Sequence, residues 1–151
     1  MLKGMLLSYI ITFVYAMLFN APKHTIFYAG AVGMSGWIIY KMLPAYGAEL
    51  TLASFAAGTF ISLTSQILSI KMKVPSTNFS IAGIIPLVPG STAYKSMLAF
   101  INTDYVGGIT LGVMTMMYAG AIAAGLILGV SIFSLWKGIV ARHVRKGAKA
   151  N

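Results

Sequence analysis

The chain has 151 residues, 58% of them hydrophobic and 9% charged, with a net charge of +9 and a mean hydropathy of +0.85. A soluble domain carries about a quarter charged residues, and two acids, Glu49 and Asp104, cannot help clothe a water-facing surface of this size. The composition excludes an ordinary soluble enzyme and defines an all-α membrane protein, while the absence of Cys excludes disulfides, iron–sulfur clusters and thiol catalysis.

A helix needs about 20 apolar residues to cross a hydrocarbon core of about 30 Å. The sequence predicts about five transmembrane helices, over Gly4–Phe19, Thr25–Leu43, Glu49–Ile70, Phe79–Ile101 and Val106–Trp136. Lys3 ahead of a short apolar run resembles a signal peptide, but no A-x-A-type cleavage site follows, so the first segment is read as a retained span. The turns Asn20–Lys23, Pro44–Ala48, Lys71–Asn78 and Asn102–Tyr105 hold most of the charges between spans. No linker is long enough for a soluble domain and no internal repeat is evident, so residues 1–136 form one transmembrane domain and 137–151 a basic cytoplasmic tail.

The second, third and fifth spans carry small residues at close spacing: Gly30, Gly33 and Gly36; Ser54, Gly58 and Ser62; Ala121, Gly125 and Gly129. Small side chains let helix backbones approach, so these are packing faces, within the bundle or in a homo-oligomer. The last span exceeds the hydrocarbon thickness and should tilt or protrude, with Tyr105 and Trp136 as interface residues.

The fourth span is interrupted. Ile85–Tyr94 reads IPLVPGSTAY. Pro86 and Pro89 lack amide protons, which frees the carbonyls of Ala82 and Ile85. In a bilayer such groups must meet protein or a water-lined cavity, and a broken helix at membrane depth points to a binding site or pathway. A second half-helix starting at Gly90–Ser91, capped by Ser91 or Thr92, would present amides and a partial positive charge suited to a carboxylate. Ser91, Tyr94 and Lys95 share one face of it, and Lys95 is the charged residue interior to a span. The bland alternative is a packing kink, with Lys95 snorkelling to the outer interface.

Placing the C-terminus in the cytoplasm of a cell inner (plasma) membrane puts Lys23, Lys71, Lys73, Lys137, Arg142, Arg145, Lys146 and Lys149 inside, and Lys3 and Lys41 outside. That distribution obeys the positive-inside rule. The cluster Lys137–Lys149 then meets anionic lipid, and nucleic acid is not an expected partner. Gly33-Met34-Ser35-Gly36 has the form of an intramembrane serine protease motif, but His24 and His143 are both badly placed for Ser35, so an enzyme is not expected. No motif for a metal or other cofactor is present.

The string Ile85, Pro86, Pro89, Gly90 and Tyr94 resembles the I-P-x-x-P-G-x-x-x-Y hallmark of the small membrane subunit of the threonine/serine exporter family, and Phe19-Asn20-Ala21-Pro22 resembles the family's F-N-x-P. The resemblance implies export or exchange of small carboxylate-containing metabolites, threonine and serine or a dicarboxylate such as succinate, together with a larger membrane subunit. Lys95 has no counterpart in that motif. The expected site is Pro86, Pro89, Gly90, Ser91, Tyr94 and Lys95, with Gly90 amides and Ser91 on the carboxylate and Tyr94 and Lys95 fixing its orientation. The rival reading is a scaffolding membrane protein that touches no solute. Glu49 and Asp104 fall at span ends, so a proton-coupling group is expected on the larger partner, or transport is simple exchange.

Overall fold

The apolar runs become helices α1 (Leu2–Leu18), α2 (Lys23–Ala45), α3 (Leu50–Met72), α4 (Thr77–Ile84), α5 (Gly90–Ile101) and α6 (Tyr105–Gly147), with a single 3-10 turn over Ile85–Leu87. The structure is a computed structural model that describes residues 1–147, with side chains described through residue 139. Among the described residues, α2, α3 and the Tyr105–Ile139 part of α6 are each long and apolar enough to cross a membrane. Thr77–Leu87 and Gly90–Ile101 together make a fourth span bent by 45°. The expected first span is a helix of 17 residues, about 25 Å at 1.5 Å per residue, which falls short of a full crossing. The last helix does not stop at Trp136 but runs on to Gly147, so the start of the basic tail prolongs α6. The side chains of Arg142, His143, Arg145, Lys146 and Lys149 lie outside the described residues.

Left-handed residues end four of these helices, and they explain the first family motif. Asn20 has φ 56°; its N–H donates to Met17 and that of Ala21 to Ala16, the two bonds of a Schellman stop. Asn tolerates this conformation better than most residues with a side chain. Pro22 then occupies the N-cap of α2, where a missing N–H costs nothing, and its carbonyl accepts both the N–H and the hydroxyl of Thr25. The F-N-x-P string is therefore the chemistry of a tight helix reversal. Gly47, Lys73 and Thr103 take the same left-handed role before α3, α4 and α6.

Packing is governed by small residues. On α1, Ser8, Thr12 and Ala16 form the buried stripe, and Ser8 Oγ donates to the carbonyl of Gly33 at 3.2 Å. A methyl group on Gly30 would stand 2.8 Å from the Tyr9 ring, and one on Gly33 would collide with Thr12. α2 lies between α1 and α3, and α4 sits against all three. α3 and α6 run parallel in the most extensive contact of the bundle. Gly58 meets the Ile122 carbonyl, Gly125 meets the Phe55 carbonyl and Gly129 meets Ser62 and Thr59. Ser62 Oγ closes this seam by donating to the Leu126 carbonyl at 2.8 Å. The glycine series of the third and fifth spans is thus consumed by intrachain contact, because close backbone approach replaces the hydrophobic drive that lipid removes.

The charged termini sort to opposite ends. The start of α2 and the end of α3 meet around His24 and Lys71, and Trp136 of α6 lies beside Ile67 of α3. Lys23, Lys71, Lys73 and Lys137 therefore share one end of the bundle. The other end holds Lys3, Lys41, Glu49 and Asp104, since Gly4 abuts Trp37 and α6 runs parallel to α3 from a start that projects beyond that of α3.

Candidate functional site

The break in the fourth span lies at the middle of the bundle. Leu87, the last residue of the 3-10 turn, is 2% exposed and joins Val32, Ala57, Ile61 and Ile122 in one buried cluster. Ile61 is the central residue of α3, and a methyl group on Gly36 of α2 would touch both it and Leu87. Two helices long enough to span a membrane thus place the break near mid-depth.

The freed carbonyls expected at Ala82 and Ile85 do not remain free. The chain tightens into 3-10 geometry, so Ile85 N–H donates to Ala82 and Val88 N–H to Ile84 at 3.2 Å and Ile85 at 3.4 Å. Pro89 then adopts φ −76° and ψ 49°, close to an inverse γ-turn, and the Gly90 N–H donates to Val88 at 2.7 Å. Two expectations are corrected here. The Gly90 amide is already engaged and is not available to a carboxylate. Neither Ser91 nor Thr92 caps α5; Pro89 takes the N-cap position, its carbonyl accepting from Ala93 N–H at 3.1 Å. The amides of Ser91 and Thr92 are the ones left in the first turn without an intrahelical acceptor.

The rest of α5 is amphipathic with respect to its neighbour α6. Ser96 is buried and donates its hydroxyl to the Gly108 carbonyl at 2.7 Å, and a methyl group on Gly112 would stand 3.3 Å from the same Oγ. Pro89 is buried and Pro86 half-buried, so both prolines belong to the wall. Ser91, Tyr94 and Lys95 lie on the opposite face, as the helical spacing requires. All three are exposed, Tyr94 by 66%, and Gly90 faces open space. The structure therefore brings Ser91, Tyr94 and Lys95 together on one face and separates them from Pro86 and Pro89. Leu87 as the anchor of the break was not legible beforehand, since its partners lie 26 to 55 positions away along the chain.

Other candidate groups have partners close to them in the chain. Ser35 Oγ donates to the Val32 carbonyl at 2.8 Å, and His24 lies eleven residues down the same helix, about 16 Å away. Asp104 caps α6, its Oδ1 accepting from Gly107 N–H at 2.9 Å.

A span broken near mid-depth and continued by a half-helix that carries Ser91, Tyr94 and Lys95 is a feature met in many membrane transport folds. The family model described as "Threonine/Serine exporter, ThrE" matches residues 4–132, and the chain belongs to this family. A "Threonine/serine exporter" of Corynebacterium glutamicum is 28% identical over 131 residues, covering 87% of this chain and 25% of that protein. An uncharacterized protein of Haemophilus influenzae is 27% identical over 135 residues, covering 89% of this chain and 45% of its own length. The chain thus spans less than half the length of these relatives. No solved structure matches it.

Proposed function

We propose that this chain is one subunit of a secondary exporter of small carboxylate-containing metabolites, threonine and serine or a dicarboxylate such as succinate, and that a larger membrane subunit completes it. One observation carries the reading. The face bearing Ser91, Tyr94 and Lys95 begins in the first turn after the break and is exposed, and a cation or hydroxyl left without a polar neighbour in a membrane is costly. Such a face calls for a polar or protein neighbour. The greater length of the family relatives supports a partner, and a carboxylate held between the two proteins would meet Ser91, its amide and Lys95.

The positive-inside rule applied to the end that gathers Lys23, Lys71, Lys73 and Lys137 favours a cytoplasmic C-terminus in the inner membrane. The scaffolding alternative, in which the exposed faces serve assembly alone, loses one support, since Gly58, Gly125 and Gly129 are occupied within the chain. Efflux of serine, threonine and succinate from cells expressing this chain, its larger partner, or both separates the two. Efflux that needs both chains and falls in Ser91→Ala supports the half-site. Efflux from the partner alone at the full rate rejects it.

A further inference from the structure

A second polar feature lies at the basic end, far from the break. A cavity of about 300 Å³ opens between the first turns of α2 and the last turns of α3, lined by His24, Tyr28, Leu68, Lys71 and Met72. His24 and Tyr28 sit at i and i+4 on α2, and Leu68, Lys71 and Met72 at i, i+3 and i+4 on α3, so each helix aims one stripe into it. Its lining is divided in kind. Lys71, His24 and the Tyr28 hydroxyl offer N–H and O–H donors, while Leu68 and Met72 form an apolar floor that continues into the buried cluster around Phe79.

We infer that this cavity holds the phosphate of an anionic phospholipid, with Lys71, His24 and Tyr28 on the phosphate oxygens and the glycerol end on Leu68 and Met72. Charge selects an anion. Lys23 and Lys73 flank the lining residues in sequence, and both acidic side chains, Glu49 and Asp104, stand at the other end of the bundle, so neither neutralises the site. Depth selects the headgroup region, because Lys71 is one residue from the end of α3, a helix long enough to span. The surroundings select a lipid over a dissolved ion. Phe27, next to Tyr28 in the chain, and Ile70, next to Lys71, are 64% and 50% exposed, and in a chain that spans a membrane such apolar side chains meet acyl chains. The volume lies at the small end of ligand pockets, about 300–1,000 Å³, which suits a headgroup whose chains remain in the bilayer. Basic pockets between helices at a membrane surface are suited to such headgroups. The inference does not depend on what the protein transports.

The test titrates the purified full chain in detergent with phosphatidylglycerol, phosphatidylcholine, inorganic phosphate or succinate, reading bound lipid by native mass spectrometry and the unfolding midpoint by heating. Phosphatidylglycerol is expected to bind at one retained site and raise the midpoint, with phosphatidylcholine much weaker. The double variant His24→Gln, Lys71→Gln should lose roughly tenfold of that affinity or more, Tyr28→Phe a smaller factor, and Lys41→Gln at the opposite end nothing. These side chains are substantially exposed, so the variants should stay folded, and Tyr28→Phe changes one hydroxyl only. Equal binding of the two lipids, or wild-type phosphatidylglycerol affinity in the double variant, overturns the inference. Inorganic phosphate or succinate matching phosphatidylglycerol with the same sensitivity to Lys71 would assign the cavity to a dissolved anion and overturn the lipid assignment.

Discussion

The hydroxyl of Ser62 donates a 2.8 Å hydrogen bond to the carbonyl of Leu126, bridging two parallel helices at the point where Gly125 and Gly129 let their backbones approach closely. This contact is the spine on which the rest of the molecule is arranged. α1, α2 and α4 gather on the α2-facing side of α3, and α5 folds back along the start of α6.

At that spine, substitution by size should be sharply position-dependent. A side chain on Gly125 would strike the Phe55 carbonyl, which belongs to rigid backbone, whereas Gly120 faces open space. Gly125→Leu is expected to abolish a folded, detergent-stable chain, and Gly120→Leu to leave the melting midpoint unchanged. Size-exclusion profiles and thermal melts of the two variants measure this. Loss of partner binding in Gly120→Leu with the midpoint intact would mark the outer face of α6 as an interface.

Leu87 ties the break to the bundle centre. It is 2% exposed, and truncating a buried Leu to Ala costs about 2–5 kcal/mol through lost contacts and the cavity left behind. Leu87→Ala should lower unfolding stability by that order. It should also loosen the 45° bend, seen as increased hydrogen exchange at Val88 and Gly90, the amides that close the turn. Exchange unchanged from wild type would argue against Leu87 as the anchor.

Asp104 is expected to matter as a cap rather than as a proton carrier. Asp104→Asn keeps an oxygen for the Gly107 N–H and should change stability little, while Asp104→Ala should cost about 0.5–2 kcal/mol. If Asp104 and Glu49 have no part in coupling, Glu49→Gln with Asp104→Asn leaves most transport in place. Proton dependence that disappears in that double variant would reject the assignment.

The half-helix makes the test of transport specific. Pro89→Ala restores an N–H that can reach the Ile85 carbonyl and straighten the chain, so it should reduce efflux while the protein still inserts. Ser91→Ala touches an exposed hydroxyl. Removing one hydrogen bond of about 0.5–1.5 kcal/mol should raise KM for a carboxylate solute several-fold and spare the fold. Wild-type efflux in both variants counts against a solute site at this face.

The fold and the site were legible to different degrees, and Ser91 shows where the line falls. Its place on one face with Tyr94 and Lys95 followed from helical spacing alone. That the face points away from α6 was set by Ser96 and its bond to the Gly108 carbonyl, a partner in a different helix. Gly90 shows the reverse. The sequence marked it as the start of a half-helix, yet its amide turns back to Val88 because Pro89 adopts a γ-turn conformation, and nothing in the residue order foretold that choice.

By itself the sequence determined the membrane class, the places where helices must stop and the failure of the fourth helix, because hydropathy, proline and glycine act within a few residues of their own position. It also placed F-N-x-P at a reversal. Tertiary structure alone decided the depth of the break, the consumption of Gly58, Gly125 and Gly129 inside the chain, and the meeting of His24 with Lys71 across α2 and α3. Those outcomes depend on which small residues let two backbones touch, and on contacts between residues dozens of positions apart, which local periodicity does not encode.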